Sequence, residues 1–350
     1  MILKETKFDF NDITIVPTIT SEISSRKEVD IYDLNNMLPL FTAPMDTVIS
    51  IDNLELFEKN KIIPIIPRTS KINLIEDDYF GSYEENWLAV GLTEFEELLE
   101  NKRTSLDPIK ILIDIANGHM LKLLNLIKKA KSIYGENIQL MVGNVANPET
   151  YKTLSEAGAD YVRCGIGGGS ACLTSQNVAV NYPLASLIHE CYEISCTLDK
   201  PAKIVADGGM KNYSDIIKAL GLGADYVMLG SILNKALESS GETLNELNQV
   251  VDQYSERIKN AFKNETKFYK KFRGMSTKEV QKLLGNEKLK TSEGVNRVNQ
   301  VEYTLEGWVE NFSEYLASAM SYSGAKNLNE FIGKANFVKI TQNSFNRFNK

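Results

Sequence analysis

Eight short apolar or β-branched runs punctuate the first two thirds of the chain, at 38–41, 62–66, 88–92, 111–115, 138–142, 161–164, 203–206 and 226–229. Most are spaced by about 22 to 28 residues, the length of one strand, one helix and two turns. Helical patterns fill the gaps. Residues 119–134 repeat Leu and Ile every three or four positions with Lys opposite. Residues 148–157 follow Asn147, a suitable N-cap, and open with Pro148; 213–220 has the same plan. Eight βα units in series predict an α/β fold, a (β/α)8 TIM barrel, with two stacked open sheets as the alternative.

Two intervals break the rhythm. About 40 residues separate the sixth run from the seventh and open with Gly165-Ile166-Gly167-Gly168-Gly169-Ser170-Ala171-Cys172. After the eighth run, roughly 80 residues (234–313) precede a closing helix around 314–321. Loops that follow barrel strands form the active-site face, and long ones there act as lids. No linker-like composition separates these parts, so the expected organisation is a single barrel domain over 1–350. Within it lie a loop at 165–180 and a flap at 234–313.

Charge narrows the partners. There are 39 Lys and Arg against 46 Asp and Glu, a net charge of −7, which disfavours nucleic acid and anionic lipid. No apolar run approaches the ~20 residues of a membrane span, and the amino terminus carries charge where a signal peptide is apolar. Cys164, Cys172, Cys191 and Cys196 form no CxxC pair and suit reduced thiols. With only His119 and His189, a His-rich zinc site is not expected. The reading is a soluble cytoplasmic enzyme.

The glycine run leaves room for a ligand and can turn its amides inward, although a structural turn explains such runs too. It leads to Cys172, a candidate nucleophile on a mobile loop; the other reading is an inert buried thiol, which is expected of Cys164, Cys191 and Cys196. Asp207-Gly208-Gly209 ends the seventh run, where a carboxylate can accept from two ribose hydroxyls. Gly230-Ser231 follows the eighth, the usual phosphate position of this fold, and each pair alone also fits a plain turn. Asp114, with Ile115 and Ala116 after it, faces the same mouth or caps a helix. The basic stretch 257–273 reads as a solvated helix face.

Together these motifs resemble the IMP dehydrogenase and GMP reductase family. Matching stretches include Phe8-Asp9-Phe10-Asn11-Asp12, Ala43-Pro44-Met45-Asp46-Thr47-Val48, 114–118, Gly143-Asn144-Val145, the Cys172 loop and 206–210. Further matches are 228–231, Arg273-Gly274-Met275-Ser276, Ser292-Glu293-Gly294 and Tyr322-Ser323-Gly324-Ala325, so the likeness covers nearly the whole chain. The resemblance implies a homotetrameric barrel that binds a purine 5′-monophosphate (GMP or IMP) and a nicotinamide cofactor. It also implies a thioimidate between the cysteine and purine C2.

Within the family, three features point to the reductase, which deaminates GMP to IMP with NADPH. The chain lacks the paired regulatory domains that most dehydrogenases carry. No Arg-Tyr pair, which activates water in the dehydrogenase flap, occurs between Gly274 and Glu293. Ser24-Ser25-Arg26-Lys27-Glu28-Val29-Asp30 and Ile340-Thr341-Gln342 resemble reductase segments. The alternatives are an IMP dehydrogenase without regulatory domains and a catalytically silent nucleotide-binding barrel.

The resemblance assigns Cys172, Thr174 and Glu293 to catalysis. It assigns Ser170, Asp207, Gly208, Gly209, Gly230, Ser231, Gly274, Met275, Ser276, Ser292 and Gly294 to the nucleotide. Ser25, Arg26, Arg68, Asp114, Ile115, Ala116, Gly165, Ile166, Ser318 and Tyr322 fall to the cofactor, with Ser25 and Arg26 reaching it from a neighbouring subunit. Carbonyls of Gly167, Gly169 and Cys172 would hold a potassium ion. The chain departs from the pattern at Gly168 (usually Pro), Ser175 (usually Arg) and Pro67-Arg68 (His-Lys in the reductase).

Overall fold

The structure is a computed structural model that describes residues 5–72, 86–101, 108–285 and 291–348. A short strand β1 (Ile13–Val16) comes first, and each of the eight apolar runs then contributes one strand. These are β2 (Leu40–Thr42), β3 (Ile65–Ile66), β4 (Trp87–Val90), β5 (Ile109–Asp114), β6 (Ile138–Val145), β7 (Tyr161–Cys164), β8 (Lys203–Asp207) and β9 (Tyr226–Leu229). They form one parallel eight-stranded sheet in the order β2-β9-β8-β7-β6-β5-β4-β3. Ile63, just before β3, closes the ring: its N–H donates to Leu40 (2.9 Å) and its carbonyl accepts from Thr42 (3.0 Å). The fold is a (β/α)8 barrel.

Strand alternation sends every second side chain inward. Phe41, Trp87, Leu112, Met141, Val205 and Met228 fill the interior with Tyr161 and Tyr226. Trp87 meets Phe41 edge-on at 5.9 Å and Tyr161 edge-on at 5.0 Å between ring centroids. This plug makes the barrel a packed core, so ligands are confined to its mouth. Outside, Leu121–Tyr134 buries Leu123, Leu126, Ile127 and Ala130 at helical spacing. Full burial of each leucine or isoleucine stabilises the fold by about 1.5–3 kcal/mol. Asn147 caps Pro148–Glu156 by accepting from the Glu149 N–H at 2.9 Å, as the sequence predicts.

After β9 the chain leaves the barrel. An antiparallel sheet forms from β10 (Thr243–Leu244), β11 (Val250–Val251), β12 (Tyr269–Arg273) and β13 (Asn296–Gln300), in the order β11-β10-β12-β13. Its underside packs on Leu237, Phe268 and Val301. The closing helix is longer than expected: it spans Leu305–Ser323, with Thr304 as its cap, so the excursion ends well before residue 313. The basic stretch is not one solvated helix face either. It divides into the helix Glu256–Lys263 and β12, where Lys270 is fully buried. Lysine's long aliphatic stem allows that placement once its ammonium finds acceptors. Finally β14 (Asn336–Lys339) pairs antiparallel with β1 and ties the two ends of the chain together. Among the described residues, no helix is long and apolar enough to cross a membrane.

Candidate active site

Two residues past Tyr161, at the next inward position of β7, stands Arg163. Gly143 on β6 makes the space, since a Cβ there would lie 2.7 Å from the Arg163 Cβ. The guanidinium spans the mouth. It donates through Nη1 to Asp114 Oδ1 at 2.6 Å, and through Nη2 and Nε to Asp207 Oδ2 at 2.8 and 3.1 Å. Burial alone opposes its charge, but the two carboxylates outweigh that penalty and hold its pKa above the ordinary value. Asn144 adds a 2.6 Å bond to the same Asp207 oxygen and a 2.8 Å bond to the Gly165 carbonyl. Asp207 is thus pinned through Oδ2, which leaves Oδ1 as the oxygen to offer a ligand. Asp114 ends β5 and does not cap a helix, because the next helix begins only at Leu121.

The glycine loop follows β7 directly and rests on the Asp207-Gly208-Gly209 turn. Together Gly165, Ile166, Gly168, Asp207, Gly208 and Gly209 line one side of a cavity of about 350 Å3, whose other wall includes Asp9 and Tyr182. Residues assigned from sequence to the cofactor and to the ribose therefore share one wall. Ser170 is exposed at the loop's outer end.

Beyond it, three distant segments interlock. Leu173 N–H donates to the Glu293 carbonyl (2.7 Å), and Val295 N–H to the Ala171 carbonyl (3.1 Å). Gly274 N–H donates to the Val295 carbonyl at 3.2 Å. Side chains are excluded at this crossing: a Cβ on Gly274 would sit 2.8 Å from the Ala171 oxygen and 3.1 Å from the Gly294 Cα. Ser292 braces it by donating to the Gly294 carbonyl at 2.8 Å. The crossing carries a relay of three side chains. The Cys172 thiol lies 3.3 Å from Thr174 Oγ1, and the Thr174 hydroxyl donates to Glu293 Oε2 at 2.6 Å. A thiol, a hydroxyl and a carboxylate in one hydrogen-bonded line can attack an electron-poor carbon and carry a proton to or from its substituent.

The remaining predicted residues fall in separate places. Gly230 lies against Met45 and precedes the short helix Ser231–Asn234. Met275 is half-buried and Ser276 exposed beside the crossing. Ile115 is half-buried and Ala116 exposed after β5. Ser25 caps the turn Arg26–Glu28, and Arg26 pairs at 2.7 Å with Glu314. Glu314 shares a helix with Ser318 and Tyr322 at four-residue steps, so four of the predicted cofactor residues gather around one helical face. Arg68 stands apart, held by Glu94 at 3.2 Å at the ends of β3 and β4. Of the cysteines expected to be buried, Cys164 and Cys191 are, with sulfurs 3.8 Å apart, and burial pushes the Cys191 thiol up. Cys196 is exposed, at the C-terminal end of its helix.

Three features were not read from the sequence: Arg163, Asn144 as a second donor to Asp207, and the ion pair between Arg273 and Asp46 that anchors the flap to the loop after β2. A signal for Arg163 was present: a lone arginine at an inward register within a strand run. The Arg273–Asp46 pair had none, because its members are separated by 227 residues.

The potassium ion implied by the resemblance needs free carbonyls in the loop. Two of the three are engaged: the Ser175 hydroxyl donates to Gly167 (3.0 Å) and the Cys172 N–H to Gly169 (2.9 Å). With those two oxygens already held by protein donors, the loop does not offer the ion three unengaged carbonyls.

Comparison with known proteins gives the family. The family model described as "IMP dehydrogenase / GMP reductase domain" matches residues 93–348. The chain is 30% identical to the GMP reductase of Staphylococcus carnosus (strain TM300), over 97% of this chain and 98% of that protein. It is 28% identical to GMP reductase 2 of Homo sapiens, over 97% and 95%, and 28% identical to the GMP reductase of Caenorhabditis elegans, over 97% and 94%. The chain belongs to the IMP dehydrogenase / GMP reductase family.

Proposed function

We propose that the protein is a GMP reductase, converting GMP and NADPH to IMP, ammonia and NADP. The observation that carries this reading is the Cys172–Thr174–Glu293 relay. Cys172 attacks purine C2, and a proton carried along Thr174 and Glu293 makes the 2-amino group a neutral leaving group. Ammonia departs, leaving C2 bonded to sulfur as a thioimidate. A nicotinamide held beside Asp114, Ile115 and Ala116 would supply hydride to C2. The carbon–sulfur bond then breaks, IMP is released, and the sulfur is returned to the relay.

Asp207 holds the ribose through Oδ1, with Gly208 and Gly209 admitting the sugar. Ser170, Gly230 and Ser231 take the phosphate, and Gly274, Met275, Ser276, Ser292 and Gly294 enclose the base. For the cofactor, half-buried Ile115 and exposed Ala116 offer an open apolar wall to the nicotinamide, with Asp114, Gly165 and Ile166 beside it. Ser25, Arg26, Ser318 and Tyr322, gathered on one face, serve the adenosine end together, reached from a neighbouring copy in a homotetramer. Arg26 is exposed and its pair with Glu314 is a surface one, worth about 0–1 kcal/mol, so a 2′-phosphate can displace the carboxylate. Arg68 serves the same end once freed from Glu94. The setting is the cytoplasm.

The test is a stopped-time assay of purified protein. GMP with NADPH should give NADPH oxidation with matching amounts of IMP and ammonia. Steady XMP formation from IMP and NAD at a comparable rate would replace this reading with the dehydrogenase.

A further inference from the structure

We propose that Ser175 is a positioning residue that holds the catalytic loop in place of a monovalent cation, so that the chemistry of Cys172 is independent of potassium. This goes beyond the function proposed above and rests on it only for the turnover measurement below.

The catalytic loop is held along its whole length. Its odd-numbered residues are tied down in turn by protein groups. Asn144 donates to the Gly165 carbonyl at 2.8 Å, and Ser175 to Gly167 at 3.0 Å. Gly169 accepts from the Cys172 N–H at 2.9 Å, Ala171 from Val295 at 3.1 Å, and the Leu173 N–H reaches Glu293 at 2.7 Å. A cation that gathers loop carbonyls would do the same work as these bonds, converging otherwise repulsive oxygens on one centre. Here protein donors hold those oxygens one by one instead.

Ser175 is also lodged where only glycine admits it. A Cβ on Gly167 would lie 2.0 Å from Ser175 Oγ, so the hydroxyl fills the space that a side chain at 167 would take. Serine is short enough to keep that hydroxyl on the carbonyl eight residues back, across the loop. Ser175 is half-buried and lies one residue from Thr174, so the bond to Gly167 sets the backbone that aims the relay. The bond also closes the loop between the strand end and the short helix Thr174–Val178.

Two readouts test this. The first needs no nucleotide: the rate of alkylation of half-buried Cys172 by iodoacetamide, resolved by peptide mass because Cys196 is exposed. It is measured in potassium chloride and in tetramethylammonium chloride at equal ionic strength. Wild-type rates should agree within about threefold in the two salts, and Ser175→Thr, which keeps the hydroxyl, should match them. Ser175→Ala should differ from wild type by more than about threefold in tetramethylammonium. The second readout is NADPH oxidation with GMP. Wild type should lose less than about threefold without potassium, whereas Ser175→Ala should fall by about tenfold or more. A wild-type alkylation or turnover rate that shifts by more than about threefold with potassium overturns the proposal. So does a Ser175→Ala protein that behaves as wild type in both salts. If GMP is not turned over at all, the function proposed above fails, and the alkylation rates still decide the role of Ser175.

Discussion

A thiol at 3.3 Å and a carboxylate at 2.6 Å from one threonine hydroxyl make Thr174 the pivot of the site. Cys172→Ser should lower turnover to below about a tenth of wild type while sparing nucleotide binding, because an alcohol is a far weaker nucleophile of nearly equal shape. Steady-state rates beside calorimetric titration with GMP check both halves. Arg163 belongs to the same scale. Its charge balances two carboxylates at the mouth, and removing one member of a buried ion network typically costs about 3–5 kcal/mol. Arg163→Met should therefore lower unfolding stability by about that amount in urea titrations, and a change below about 1 kcal/mol would show the network to be slack. Asp207→Asn should weaken GMP by about tenfold or more, the worth of a charge-assisted hydrogen bond to the ribose. Unchanged affinity would remove Asp207 from the site.

Among the elements, β12 carries the least expected group. Lys270 Nζ donates to the carbonyls of Ser239 (2.6 Å) and Gly241 (3.0 Å), and burial pushes its pKa down to about 7. A neutral amine has two N–H groups for these two acceptors. The folded pKa lies below the unfolded value of about 10.4, so the unfolded chain binds more protons between pH 7 and 10 and stability rises with pH there. From pH 7.5 to 9 the wild type should gain about 1–2 kcal/mol relative to Lys270→Met, read from paired urea melts; a flat difference would contradict the neutral form. The elements also show what was legible in the chain. Every barrel strand could be read, since an eightfold period of buried apolar runs survives any local ambiguity. The resemblance names Cys172, Thr174 and Glu293 through short motifs, and the structure brings these three side chains into one line. The β10–β13 sheet could not be read: its strands are short, mostly polar and paired across long separations, and Lys270 sits in a run whose charges suggest solvent. The flap stretch 286–290, with Lys288 and Lys290, lies outside the described residues.

At the scale of the molecule, the barrel's plugged interior forces chemistry to its C-terminal mouth, and the excursion after β9 folds back over that mouth. Arg273, anchored on Asp46 and Glu279, ties the flap to the loop after β2, while Gly274 and Gly294 cross against Ala171. Cys172 comes from the loop after β7 and Glu293 from the flap, so their hydrogen-bonded line exists only when the flap is seated. The central claim is that this relay performs the deamination half of the reaction. Single-turnover kinetics of Thr174→Ala and Glu293→Gln separate the halves, with ammonia release followed from GMP and hydride transfer followed in reverse from IMP and NADP. The account predicts that each substitution slows ammonia release by at least about tenfold more than it slows hydride transfer. Equal losses in the two half-reactions would contradict it.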